Sequence, residues 1–254
     1  MNFLHLIILS IVQGITEFLP ISSSAHLVLV PVVLDTPDQG LLMDVSVHIG
    51  TLLAVVVYLR RDILKALFNP TLLLCLFVAT LPIVVAGFFM HQFMPEGLRS
   101  LEIIAAATLF FGIVLLWADE TGGQDKTMDK MDIKTAVYIG LGQILALIPG
   151  TSRSGITMSV ARKCGFNRLD AARFSLLLGV PTIAGAGLIA GIDLWQTQDV
   201  TLGADVGLAI LFSFITALIS IICMMKWLEK FSFRPFVIYR LFLGMALFAY
   251  VYLG

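Results

Sequence analysis

Apolar positions along this chain follow neither a helical nor a strand period; they run on continuously, interrupted by short polar connectors. Six stretches, near 42–59, 70–91, 101–118, 174–192, 206–226 and 236–253, are long enough to cross a bilayer as helices, which takes about 17–25 residues. Two further apolar regions, 3–35 and 135–162, are each broken at a proline inside a polar patch, at Leu19-Pro20 and at Ile148-Pro149-Gly150. Proline disfavours helix at the residue before it, so each region is predicted as two half-helices joined by a bend. Irregular backbone at membrane depth is tolerated only inside protein or beside a water-filled cavity, which places both bends in the interior.

The two breaks resemble each other. Aligned on the prolines, Pro20-Ile-Ser-Ser-Ser-Ala-His26 faces Pro149-Gly-Thr-Ser-Arg-Ser-Gly155, and each break is followed by three candidate spans. The chain then divides into a first half, 1–118, a polar cytoplasmic connector, 119–134, and a second half, 135–254. If both broken segments turn back on themselves, each half crosses three times and the second inserts upside down, an arrangement known from transporters. The expected fold is an all-α polytopic membrane protein of six transmembrane helices plus two re-entrant helical hairpins in an inverted repeat.

Composition agrees: 59% of residues are hydrophobic and 13% charged, far from the balance of a soluble domain. No basic stretch precedes the first apolar segment, so that segment is expected to stay on the protein. Cys75, Cys164 and Cys223 lie far apart and read as buried small hydrophobes. With re-entrant hairpins, one face collects thirteen basic residues, Arg60, Arg61 and Lys65 among them, against Arg99 alone on the other, which also carries Asp35, Asp38, Asp193, Asp199 and Asp205. The positive-inside rule then puts both termini outside, with hairpin 1 entering from outside and hairpin 2 from the cytoplasm.

The polar patches carry the candidate chemistry, because polar groups at membrane depth are costly and mark function. In hairpin 2, Thr151 or Ser152 can cap a new half-helix whose free N–H groups favour an anion. Arg153 adds a bidentate donor suited to phosphate, with Ser154 and Thr157 as further hydroxyls. The alternative is a helix break whose arginine pairs with a buried carboxylate. In hairpin 1, Ser22, Ser23 and Ser24 precede His26 by two to four residues. A serine there can be a nucleophile with the histidine as its base, or the histidine can serve another attacker; plain capping and a structural imidazole are the alternatives. Gln13 and Glu17 share a helix face, and the carboxylate can hold a divalent cation or orient the histidine. Asp44 and His48 can border the cavity, though a structural pair is the expectation; His5 and His91 read as bystanders near the outer interface. Arg240, one turn into the last span, is expected to snorkel to the headgroups and is left out of the site.

The stretches Gln-Gly-Ile-Thr-Glu-Phe-Leu-Pro-Ile-Ser-Ser-Ser-Ala-His at 13–26 and Pro-Gly-Thr-Ser-Arg-Ser-Gly-Ile-Thr at 149–157 resemble the two signature motifs of the bacterial undecaprenyl-diphosphate phosphatase family, the bacitracin-resistance type. The resemblance extends over nearly the whole chain. It implies hydrolysis of a C55 isoprenyl diphosphate to the monophosphate carrier lipid and inorganic phosphate, on the outer face and aided by a divalent cation, Mg2+ or Ca2+. By motif, Glu17 is the essential acid and cation ligand, Ser23 the nucleophile, His26 its acid–base partner and Arg153 the phosphate clamp, while Gln13, Ser22, Thr151, Ser152, Ser154 and Thr157 contact substrate. One position departs from many relatives: Gln13 stands where they have glutamate, which weakens a two-carboxylate metal site and shifts the burden to Glu17. The acid-phosphatase class of lipid phosphatases needs a histidine six residues after Ser-Arg, and position 159 is Ser159.

The function expected is therefore an integral inner-membrane phosphatase that recycles the carrier lipid for cell-wall synthesis and confers bacitracin resistance. The alternative is an inverted-repeat transporter or flippase of a phosphorylated lipid. Expected partners are the polyprenyl diphosphate and membrane lipids, with a homodimer left open and no nucleic acid.

Overall fold

The computed structural model describes residues 3–34, 36–37, 39–93, 100–197 and 203–253, without the side chains of residues 91, 194 and 197. Asp35, Asp38, Arg99, Asp199 and the His91 side chain therefore lie outside the described residues. The chain forms helices α1 (Phe3–Thr16), α2 (Ser23–Leu34), α3 (Leu41–Tyr58), α4 (Arg60–Leu67), α5 (Pro70–Phe93), α6 (Leu101–Thr121), α7 (Ile133–Ile144), α8 (Arg153–Lys163), α9 (Arg168–Thr197), α10 (Ala204–Leu228) and α11 (Arg234–Leu253). Six of them, α3, α5, α6, α9, α10 and α11, are long and apolar enough to cross a membrane. These coincide with the six predicted stretches, except that α9 begins earlier, at Arg168. The short amphipathic α4 lies where the sequence suggested only a connector.

Proline alone does not explain the two breaks. Pro31, Pro82 and Pro181 sit inside α2, α5 and α9 without ending them. What distinguishes the breaks after Pro20 and Pro149 is left-handed backbone downstream, at Ser22 (φ 74°) in the first and at Gly150 (φ 94°) and Ser152 (φ 69°) in the second. A residue at positive φ cannot continue a right-handed helix, so the chain changes direction. In both cases it returns along the helix that brought it in. Leu6 and Leu9 of α1 share one apolar cluster with Leu27 and Val30 of α2, and Ala136 and Ile139 of α7 share another with Ala161 of α8.

The first helix of each hairpin packs on a span far away in sequence, α1 along α10 and α7 along α5, while α6 pairs with α11. Close approach is set by small residues. A Cβ on Gly14 of α1 would stand 1.9 Å from Thr216 Oγ1 of α10, and one on Gly140 of α7 would stand 2.8 Å from the Ala79 carbonyl of α5. Packing of this kind, together with interhelical hydrogen bonds, is the main source of cohesion between helices in lipid.

At the end of α8 away from Ser152, Arg162 is fully buried. Its Nε donates to Asp119 Oδ1 (3.3 Å), and its terminal nitrogens donate to the carbonyls of Asp119, Gly122, Gly123 and Phe166. Arg168 Nε donates to the same carboxylate oxygen at 2.6 Å, and the Phe233 N–H to the other at 3.2 Å. One carboxylate thus ties together α6, α8 and the starts of α9 and α11. Arg162 and Arg168 had entered the sequence reading only as topology charges. The three cysteines are free, but only Cys75 is buried; Cys164 is partly exposed and Cys223 lies on the surface of α10. An outward position on a membrane helix can face hydrocarbon, where a small apolar thiol is as comfortable as in a core.

Candidate active site

Glu17 ends the first half of hairpin 1 and is nearly buried. Its Oε2 accepts from Gln13 Nε2 at 2.9 Å, one helical turn back, and from Ser23 Oγ at 2.7 Å, across the break. Its Oε1 accepts from an Arg153 terminal nitrogen at 3.2 Å, so the two hairpins meet in an ion pair. The same Arg153 donates to the Ser175 carbonyl of α9 at 3.4 Å and lies 5.9 Å from the centre of the Phe18 ring. His48 of α3 approaches from the side, its Nε2 3.9 Å from Glu17 Oε2. A buried carboxylate is tolerable only with such partners.

Local sequence makes this arrangement. Ser22 and Ser152 each precede the returning half-helix, so Ser23 and Arg153 occupy its first position in hairpins 1 and 2 respectively. Ser152 Oγ caps α8 by accepting from the Gly155 N–H (3.2 Å). The hydroxyls of Ser22 and Ser24 lie 3.1 Å apart, as do those of Ser152 and Ser154. Ser154 also donates to the Leu19 carbonyl at 2.9 Å, joining the hairpins a second time. Thr157 is buried against Ser175 Oγ (2.7 Å). Thr151 is fully buried, and its hydroxyl has no partner among the described residues.

Ser23, the nucleophile that the motif implies, faces Glu17 and not His26. His26 Nδ1 meets the Ser22 carbonyl at 2.7 Å and Nε2 meets Tyr239 Oη of α11 at 2.5 Å. His48 and Asp44 are joined through the Asp44 main-chain carbonyl (2.6 Å), not its carboxylate. Both border a cavity of about 130 Å3, shared with Leu41, Val45, Ile183, Ala186, Gly187 and Ala190, that lies between α3 and α9. His5 is buried.

Arg240 corrects the sequence reading most. It does not snorkel; it is fully buried and donates to five carbonyls. These belong to Pro20 (3.3 Å) in hairpin 1, Gly150 (2.9 Å) and Thr151 (3.0 Å) in hairpin 2, and Ala107 (3.4 Å) and Thr108 (3.1 Å) in α6. Chain breaks strip carbonyls of their helical donors, and in a dry interior a guanidinium with five N–H groups can satisfy several at once. Tyr239 and Gly179 leave no local mark in the sequence, and Arg240 reads there as a snorkelling residue.

Among the described residues no group of three or more His, Cys, Asp or Glu side chains could cage a metal ion. Gln13 turns its NH2 to the Glu17 carboxylate; its buried Oε1 has no hydrogen-bond partner among the described residues, and with the amide rotated it would be a second hard oxygen donor beside the carboxylate. One carboxylate plus an amide oxygen fits a Mg2+- or Ca2+-like ion that arrives with substrate phosphates better than a resident, fully protein-held one.

The sequence profile of the family described as bacitracin resistance protein BacA matches residues 6–246. The chain is 42% identical to an undecaprenyl-diphosphatase of Roseobacter denitrificans over 99% of its own length and 100% of that protein's. It is 45% identical to one from Alcanivorax borkumensis, covering 97% and 98%, and 43% identical to one from Ruegeria pomeroyi, covering 99% and 100%. With its two hairpins meeting at Glu17 and Arg153 and its likeness running end to end, the chain belongs to the bacitracin resistance protein BacA family.

Proposed function

We propose that this membrane protein hydrolyses undecaprenyl diphosphate to undecaprenyl phosphate and inorganic phosphate, recycling the carrier lipid for cell-wall synthesis and conferring bacitracin resistance. The observation that carries the reading is Glu17, held at once by Ser23 of its own hairpin and Arg153 of the other.

In this mechanism Arg153 turns its guanidinium from Glu17 to the terminal phosphoryl group, an exchange of one oxyanion for another. Ser23 Oγ attacks phosphorus, and its proton passes to Glu17 Oε2, 2.7 Å away. The bond from phosphorus to the bridging oxygen breaks, releasing undecaprenyl phosphate. Water, deprotonated by His26, then releases phosphate from Ser23. Glu17 is thus the proton acceptor for Ser23, which leaves His26 to serve the water. Glu17 and Gln13 would hold a divalent cation, which when bound offsets negative charge on the diphosphate.

The charge distribution supports an orientation with both termini outside and the site opening to the periplasmic side of the inner membrane. The crossed packing of α1 on α10 and α7 on α5 supports halves 1–118 and 135–254 as an inverted repeat joined by a cytoplasmic connector. Transport alone would leave the Ser23–Glu17 contact without a purpose.

The test is phosphate release from a long-chain prenyl diphosphate by detergent-purified protein with Mg2+ or Ca2+. Wild type should turn over, and Ser23→Ala, Glu17→Gln and Arg153→Ala should not. Wild type that releases no phosphate while moving the lipid across liposomes would establish the flippase reading instead.

A further inference from the structure

His26 is hydrogen-bonded on both ring nitrogens, and one of the two bonds fixes its chemistry. The Ser22 carbonyl can only accept, so Nδ1 carries a hydrogen in either charge state of the ring. A neutral His26 therefore has its lone pair on Nε2, where it could take a proton. That nitrogen is in contact with Tyr239 Oη at 2.5 Å, so the phenol O–H is its donor. The two rings are nearly parallel, 8° between planes with centroids 5.6 Å apart, which lets the O–H approach in the plane of the imidazole lone pair. His26 is 9% exposed and Tyr239 42% exposed. The hydroxyl thus reaches the imidazole from the more open side. The next residue, Arg240, anchors α11 to the tips of both hairpins through the carbonyls of Pro20, Gly150 and Thr151. Tyr239 therefore stands on a span that is bolted to both hairpin tips, and its position relative to His26 is fixed by that anchorage.

We propose that Tyr239 is the positioning residue for His26. It holds the imidazole with the Nε2 lone pair aimed along one line and is exchanged for the water that His26 activates. The inference rests on the phosphatase reading above. The exchange is balanced without any change in the tyrosine: the water O–H replaces the phenol O–H as donor to Nε2. As the water oxygen bonds to phosphorus, its proton passes to Nε2, and the serine oxygen leaves phosphorus, taking back the proton held on Glu17 Oε2. The phenol keeps its proton throughout and, once displaced, can donate to the attacking water or to a phosphoryl oxygen. Phenylalanine at 239 would preserve the ring and lose the donor.

The experiment is steady-state phosphate release by the intact protein, with 239 as tyrosine, phenylalanine, 3-fluorotyrosine or 3,5-difluorotyrosine. Tyr239→Phe should lower kcat by about tenfold, less than the loss of a general base itself (about 10²–10⁴-fold) because Tyr239 positions the base and does not replace it, with KM changed less than twofold. The fluorinated series, which retains the shape and varies the strength of the donor, should change kcat progressively with phenol acidity. If Tyr239→Phe fails to fold, the fluorinated forms carry the test alone. A Phe variant with wild-type kcat, or a flat response across the fluorinated series, overturns the assignment of Tyr239 while leaving the phosphatase reading intact. Absence of phosphate release from wild type would overturn that reading instead.

Discussion

Ser22 and Ser152 share one unusual backbone conformation, at φ 74° and 69°, each immediately ahead of a half-helix that returns along its predecessor. Left-handed backbone is costly for a residue with a side chain, and here it occurs twice at equivalent points. Its consequence is a shift in how the two hairpins correspond. Alignment on Pro20 and Pro149 pairs Ser23 with Ser152, but the backbone pairs Ser22 with Ser152 and Ser23 with Arg153. The two hairpin groups that hydrogen-bond Glu17 from beyond its own half-helix thus hold equivalent positions, one a hydroxyl and one a guanidinium. Strain at such a site is a reason to look for function.

Ser22→Gly should therefore be tolerated in stability, since glycine adopts positive φ freely. Ser22→Val should be less stable than Ser22→Gly by about 1–2 kcal/mol, the cost of left-handed backbone for a residue with a side chain, with a β-branched residue at the upper end. Thermal denaturation in detergent reads the difference. Equal melting of both variants would show that the turn does not depend on this φ.

Gly179 of α9 is the position that makes room for Arg153. A Cβ there would stand 2.5 Å from an Arg153 terminal nitrogen, the far end of a flexible side chain, so the fold can absorb the change but the clamp cannot. Gly179→Ala should raise KM for the prenyl diphosphate by about tenfold, the worth of one charge-assisted contact of about 1.4 kcal/mol, and leave the melting temperature within a few degrees. An unchanged KM would mean that Arg153 does not hold substrate in this rotamer.

The sequence made the spans, the two breaks and the Glu17, Ser23 and Arg153 set legible because each leaves a local mark: an apolar run, a proline in a polar patch, a motif. Arg240 and Tyr239 leave none. A single arginine near a helix end reads as a snorkelling residue, and only the folded chain shows that Pro20, Gly150 and Thr151 present unpaired carbonyls to it. Asp119 and Arg162 were hidden for the same reason, as long-range partners separated by 43 residues. The facing of Ser23 toward Glu17 rather than His26 was unreadable because all three lie within one turn-and-bend, where a single backbone angle decides which groups meet.

Asp132 caps α7 at the end of the connector 119–134, accepting from the Thr135 N–H at 2.7 Å. That backbone hydrogen bond, with a further contribution from the Thr135 side chain, holds its carboxyl below the ordinary carboxylate value. A depressed value means stability present above the unfolded pKa, about 3.9, and lost as pH falls through the lower, folded one. Asp132→Ala should cost about 0.5–1 kcal/mol near neutrality, the low end for a cap because the site is exposed and screened. Asp132→Asn should keep the cap and remove its share of the acid dependence. Melting curves at neutral pH and at about pH 2, below the unfolded value, test both, and an Asn variant as acid-sensitive as wild type would remove Asp132 from the account.

Arg240 should be the least replaceable residue outside the reacting set. Arg240→Met removes donors from five carbonyls at once while filling similar space. The Ala107 and Thr108 carbonyls lie inside α6 and Gly150 keeps the Thr108 hydroxyl, but those of Pro20 and Thr151 lose the donor that the break made necessary, and each carbonyl left unsatisfied in a dry interior costs about 1–3 kcal/mol. Arg240→Lys keeps the charge but offers three N–H donors from a single atom, which cannot span hairpin 1, hairpin 2 and α6 together. The Met variant should be degraded or fail to purify as a monodisperse protein. The Lys variant should fold with a lowered melting temperature and a kcat reduced more than KM is raised, because the hairpin tips that carry Ser23 and Arg153 lose their common anchor. A Lys variant with wild-type stability and turnover would show that the five carbonyls find other donors and that the hairpins hold their places without α11.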